Sequence, residues 1–167
     1  VVLHGKNVAM VGSGGVARAI AFTLAQMAGV GRISLFDIDQ NMLQGLAQDL
    51  KSGTNADIES FVSNDASIAK IMSYADIIVN CTPIGMHPHE GVSIVPVELF
   101  RDGQAVFDVI YNPIETKFLT DAKSRGLIAV SGVDMFINQA AMQFEYFTGV
   151  KAPVEEMKRV LMEKLKL

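Results

Sequence analysis

Val8-Ala9-Met10-Val11-Gly12-Ser13-Gly14-Gly15-Val16-Ala17 is the stretch whose reading decides the fold of this chain. A short apolar run meets a glycine-rich turn, and a helical pattern over Val16–Ala28 follows at once. Gly12 permits a tight turn, Gly14 lets a pyrophosphate approach the backbone, and the unpaired amides of the helix start attract that anion. Ser13, Gly15 and Val16 share the turn, and Ala17 stands where a third glycine would allow close helix–strand packing. An ordinary βα turn that uses glycines for tightness is the alternative. The context favours a dinucleotide site, because a second strand follows and ends in Asp37, 25 positions after Gly12.

Asp37 can accept the adenosine ribose hydroxyls, and its charge repels the 2′-phosphate of NADP. No Arg or Lys lies between Arg32 and Lys51 to attract that phosphate. The expected cofactor is therefore NAD, with NADP as the alternative. Asp39 is read instead as the cap of the helix that begins near Asn41.

Outward from this turn, short β-branched runs alternate with longer segments of helical period. That alternation predicts an α/β fold, a Rossmann-type doubly wound parallel sheet with helices on both faces. The predicted strands are Val8–Val11, Arg32–Phe36, Glu59–Val62, Ile77–Val79, Ala105–Val109 and Leu127–Val130. The predicted helices are Val16–Ala28, Asn41–Leu50, Ser67–Tyr74, Thr116–Arg125, Met135–Thr148 and Pro153–Lys166, with a short helical turn near Pro96–Phe100. Gly29 and Gly126 mark helix ends in the left-handed conformation, and Ser67 is expected to cap its helix. In the last helix Pro153 suits the first turn, Lys164 and Lys166 suit the negative end, and Met157, Val160, Leu161 and Leu165 form an apolar stripe that needs a surface.

Composition narrows the classes of function. The 167 residues fit one domain, and a 50% hydrophobic content supplies a core. Fourteen Lys and Arg against eighteen Asp and Glu leave a net charge of −4, which offers no basic footprint for nucleic acid or an anionic membrane. A small-molecule ligand is expected. No apolar run approaches the roughly 18 residues of a membrane span. The single Cys81 has no partner for a disulfide or a zinc site, so a cytoplasmic location is expected. His87 and His89 lie in a Pro-containing loop without fixed ligand spacing, and no metal site is assigned.

Four signatures follow in order: Val11–Ala19, Asn80-Cys81-Thr82-Pro83-Ile84-Gly85-Met86, Phe107–Pro113 with Thr116, and Gly132–Ala140 followed by Phe144 and Phe147-Thr148-Gly149. Together they resemble those of the nucleotide-binding domain of the shikimate and quinate dehydrogenases. On physical grounds alone, Asn80 and Thr82 suit a turn at a strand end, Met135 suits core packing, and Gln139 suits a surface or interdomain hydrogen bond. The resemblance implies more. It places Thr82, Pro83 and Met86 at the cofactor, the Gly132 backbone and Met135 beside the nicotinamide ring, and Tyr111 and Gln139 at the substrate.

The resemblance also implies hydride transfer between NAD(P) and a hydroxylated ring acid, shikimate or quinate, within aromatic amino acid biosynthesis. The family carries a substrate domain ahead of this one, with a catalytic Lys and Asp. No residue of this chain receives those roles, so no catalytic residue is assigned and the chain alone is expected to be inactive. The whole of 1–167 is read as one NAD(P)-binding domain, whose helices from 135 onward pack on the missing substrate-binding domain or, in this chain alone, join two copies in a homodimer or fold back. A stand-alone NAD-binding sensor or subunit is the alternative function.

Overall fold

The computed structural model describes residues 2–165. Six strands form one parallel sheet: β1 Asn7–Val11, β2 Arg32–Asp37, β3 Asp57–Val62, β4 Ile77–Asn80, β5 Ala105–Asp108 and β6 Ile128–Val130. Their order is β3-β2-β1-β4-β5-β6, so the chain reverses its direction of winding between β1 and β4. In an open parallel sheet that reversal leaves a crevice at the carboxyl ends of the two central strands. The helices are α1 Gly15–Thr23, α2 Gln40–Gly53, α3 Asp65–Met72, α4 Lys117–Ser124, α5 Gly132–Thr148 and α6 Val154–Leu165. A short 3₁₀ turn covers Val97–Leu99. Among the described residues no helix is long and apolar enough to cross a membrane.

Alternation along each strand builds two apolar layers. Val8 and Met10 of β1 and Ile77 and Val79 of β4 face α1 and α2, whereas Ala9 and Ile78 face the layer containing Ile71, Phe100 and Phe118. Helix α2 shows how a period of 3.6 becomes packing. Leu43, Leu46, Ala47 and Leu50 are buried on one face, at roughly 1.5–3 kcal/mol for each leucine. Asp39 starts that helix by accepting the amides of Asn41 and Met42 at 2.9 and 3.0 Å, as its sequence position predicts.

Several expected boundaries move, each for a local reason. The cap of α3 is Asn64, not Ser67. Asn64 accepts the Ser67 amide at 2.9 Å, while the Ser67 hydroxyl accepts the Asn64 amide at 3.0 Å, the reciprocal arrangement of a capping box. Helix α1 gives way to a π-helical turn at Leu24–Ala28 before Gly29 closes it with φ +60°. Helix α5 starts three residues earlier than expected because Ser131 accepts the Val133 amide at 3.1 Å. Pro153 lies just outside α6, where its carbonyl accepts the Met157 amide, and Lys166 lies outside the described residues. The apolar stripe of α6 meets α5, with Met157, Val160 and Leu161 facing Phe136, Ile137 and Ala140 across a shallow groove.

Candidate functional site

The crevice between β1 and β4 is a cleft of about 500 Å³. Gly12, Ser13, Gly14, Asp37, Thr82 and Pro83 all line it, so six sequence-predicted residues from three separate segments meet at one place. Gly12 has φ +102°, and a Cβ there would lie 2.7 Å from the Cys81 carbonyl oxygen. Glycine is therefore demanded both by the turn and by the approach of the loop after β4. Gly14 has an ordinary φ of −73°, and a Cβ on it would enter open space on the cleft side of the turn.

The turn fits a pyrophosphate. Helix α1 has no side-chain cap, so its first amides are left for a ligand, and Arg18 N begins the helical bonding by donating to Gly14 O at 2.9 Å. The Ser13 residue is only 6% exposed, and its Oγ is the one buried side-chain polar atom among the described residues that lacks a hydrogen-bond partner. Such a hydroxyl costs about 1–3 kcal/mol when left unpaired, and an anionic oxygen seated on the turn would satisfy it. The Asp37 carboxylate accepts the Ser13 amide at 2.6 Å and the Asp39 amide at 2.9 Å. An ionised carboxylate has about four acceptor positions, so it can hold the turn and still receive two hydroxyls.

Beyond the turn, a buried polar network ties β4 to β5. The Asn80 amide nitrogen donates to Asp108 Oδ1 and to the Ile84 carbonyl, both at 3.0 Å. Asp108 also accepts the Ile110 amide at 3.1 Å and the Thr116 hydroxyl at 2.6 Å. Asn80, Asp108 and Thr116 are all completely buried. Burial pushes the Asp108 carboxyl above the usual carboxylate range, opposed by its bonds from Thr116, Ile110 and Asn80. The neighbouring Cys81 thiol is pushed up to about 12, chiefly by burial and further by the charge of Asp108.

Comparison with known proteins agrees with this geometry. Residues 6–116 match the family model described as the lactate/malate dehydrogenase NAD binding domain, and residues 132–162 match that of the Shikimate 5'-dehydrogenase C-terminal domain. The shikimate dehydrogenase (NADP(+)) of Bacillus cereus is 39% identical over 163 residues, an alignment that takes in 98% of this chain and 57% of that relative. The solved shikimate 5-dehydrogenase of Listeria monocytogenes, in complex with shikimate and NAD, superposes with a TM-score of 0.86 at 30% identity, covering 95% of this chain and 56% of that one. The chain belongs to the NAD-binding domains of the shikimate/quinate dehydrogenase family. Quinate dehydrogenase from Corynebacterium glutamicum, in complex with NAD, is similar at TM-score 0.85 and 32% identity over 95% of this chain and 55% of its own. The chain thus spans a little over half the length of the curated relatives it matches. The lactate/malate match ends at residue 116, after β5, and the family's own carboxyl-terminal model takes over at α5.

Within this family domain, the remaining candidate residues are spread more widely. Gly15 and Val16 open α1 at the edge of the turn, whereas Ala17, on the same helix, is fully buried in the core and does not line the cleft. Met86 and Tyr111 line a second, smaller hollow of about 280 Å³ with Asn112 and Pro113. Tyr111 stacks on Phe136 of α5 at a centroid distance of 4.5 Å. Gly132 lies against the exit of β5, where its amide donates to the Ile110 carbonyl at 3.2 Å and a Cβ would meet backbone atoms of Val109 and Ile110. Met135 is half-buried and Gln139 is exposed on α5, and neither lines the two hollows. His87 pairs with Glu90 at 3.1 Å in an exposed loop.

Two groups escaped the sequence reading. Ile38 is 86% exposed and, with Met42, gives the cleft an apolar wall beside Asp37. The signal was an apolar residue between two acids immediately after a strand. Asp108 and Thr116 were visible only as letters of a motif. An acid that ends an apolar strand was the available hint, but its partners come from other elements.

Proposed function

We propose that this chain binds and orients NAD for an enzyme that transfers hydride between the nicotinamide and a secondary alcohol of a hydroxylated ring acid, shikimate or quinate. The observation that carries the reading is the glycine turn with its unpartnered Ser13 hydroxyl, held against the Asp37 carboxylate. In this reading the turn from Gly12 to Val16 receives the pyrophosphate, and Asp37 accepts the adenosine ribose hydroxyls. Ile38 and Met42 supply an apolar surface for the adenine, and Thr82 and Pro83 lie on the path to the nicotinamide. Met86, Gly132 and Met135 border the ring, and Tyr111 and Gln139 face the substrate. When bound, the nicotinamide supplies the hydride acceptor.

The substrate hydroxyl proton must leave to a base, and we assign that base to a substrate-binding domain outside these residues. The apolar faces of α5 and α6 are the surface against which such a domain would pack. The single Cys81, with no second cysteine to pair with, suits the reducing cytoplasm.

Asp37 supports NAD over NADP, even though the Bacillus cereus relative is named for NADP(+). Calorimetric titration of the 167-residue chain with both nucleotides tests this. NAD should bind at least about tenfold more tightly, since a 2′-phosphate would meet a carboxylate with no cation nearby. In Asp37→Ala, NAD affinity should fall by about tenfold or more and the preference should narrow. Tighter binding of NADP to the parent chain would overturn the assignment.

A further inference from the structure

The hydrogen bonds around Asp108 have a direction as well as a position. The Asn80 atom at 3.0 Å from Asp108 Oδ1 also lies 3.0 Å from the Ile84 carbonyl oxygen, which can only accept, so it must be the amide nitrogen. The Ile84 carbonyl, also an acceptor only, receives the other hydrogen of the same nitrogen. Asn80 Oδ1 is thereby turned the opposite way, where it accepts the Thr82 amide at 3.0 Å and the Thr82 hydroxyl at 2.7 Å. The Thr82 oxygen in turn accepts the Ile84 amide at 3.1 Å. A hydroxyl has one proton and two lone pairs. The proton and one lone pair of Thr82 are committed inside the loop, which leaves one lone pair.

We infer that Asp108 is a positioning residue for the nicotinamide end of the cleft, acting through Asn80 to make Thr82 a hydrogen-bond acceptor and not a donor toward the ligand. This rests on the proposed function, in which Thr82 stands near the nicotinamide. A ligand group that pairs with Thr82 must then bring its own N–H, and the carboxamide NH₂ of nicotinamide does so. Asp108 also receives the Ile110 amide and the Thr116 hydroxyl, so one buried carboxylate holds both the loop after β4 and the exit of β5. That explains a costly feature. A fully buried acid is retained where an apolar residue would pack, because no apolar side chain could orient Asn80.

The test compares NAD with its 3-acetylpyridine analogue, which replaces the NH₂ of the carboxamide by a methyl group. ADP-ribose, which has no ring, reports the adenosine end. Calorimetry on the parent chain should give about fivefold or more weaker binding for the analogue than for NAD, the value of one hydrogen bond. Thr82→Val should bring that ratio to about one while ADP-ribose affinity stays within about twofold, and Thr82→Ser should restore the ratio. Asp108→Ala and Asn80→Ser, each verified as folded by near-UV circular dichroism, should also abolish the ratio, while Asp108→Asn should keep most of it. If one of the two buried-site variants fails to fold, the other carries this arm, and the half-buried Thr82 variants stand in either case.

A ratio near one in the parent chain overturns the inference, as does a ratio unchanged in Thr82→Val or in a folded Asp108→Ala. If neither NAD nor ADP-ribose binds the parent chain, it is the functional reading that fails, an outcome distinct from the others.

Discussion

Replacing Gly12 by alanine separates what the glycine turn does for the fold from what Gly14 does for the ligand. At φ +102° an L-residue sits in a sparsely populated region, at a cost of about 1–3 kcal/mol. Its Cβ would also come within 2.7 Å of Cys81 O and 2.8 Å of Cys81 C. Those are backbone atoms, and Cys81 N is bonded to Val11 O at 2.7 Å, so they cannot move without opening the join between β1 and β4. Overpacking of this kind costs a further 1–3 kcal/mol or so. A total near 4 kcal/mol should lower the melting temperature by roughly 10 °C in a domain of this size.

Gly14→Ala is the control. Its φ of −73° suits alanine and the new methyl enters open space, so stability should change by less than about 1 kcal/mol. Its NAD affinity should nevertheless fall by about tenfold or more, because the methyl occupies the space through which a pyrophosphate reaches the amides. Thermal melting by circular dichroism and calorimetric titration of both variants read the two effects. Melting of Gly12→Ala within about 2 °C of the parent would refute the close-approach argument, since it corresponds to less than about 1 kcal/mol. Unaltered NAD binding by Gly14→Ala would refute the placement of the anion.

Other outcomes follow from single contacts. With its thiol pushed up to about 12, Cys81 should be only about 10⁻⁴ thiolate at pH 8, so iodoacetamide should label it far more slowly in the native chain than in urea. Equal rates would mean that the thiol is not held above its ordinary pKa. The Asp108 carboxyl binds its proton more tightly in the folded chain than in the unfolded one, so its contribution to stability falls as pH rises from the ordinary carboxylate range through the raised value. Melting curves should therefore show Asp108→Asn gaining on the parent as pH rises above about 4, the ordinary Asp value, and a constant gap would contradict a raised pKa. Asn64→Ala removes the α3 cap and should cost about 1 kcal/mol in urea denaturation, whereas the same loss from Ser67→Ala with none from Asn64→Ala would reverse the assignment of the cap. Gly132→Ala drives a methyl into the Val109 and Ile110 backbone and should cost about 3 kcal/mol or more, read as a fall in the urea midpoint.

What the sequence by itself determined is local. Period-2 and period-3.6 patterns set the type and order of all six strands and six helices among the described residues, and the Gly12–Ala17 turn with Asp37 marked the cleft end of the sheet. Asp39 was legible as a cap because its partners, Asn41 and Met42, follow within three residues. Local chemistry became ambiguous at α3, where Asn64 and Ser67 can both cap and the path of the chain leaving β3 decided between them. Tertiary structure alone decided the rest. Asn80 meets Asp108, 28 residues away, only because the strand order puts β4 beside β5, and Gly12 is obligatory only because that same order brings Cys81 against it. A residue's hydrogen-bond direction and the space beside its Cα belong to neighbours supplied by other strands, and no window of sequence contains them.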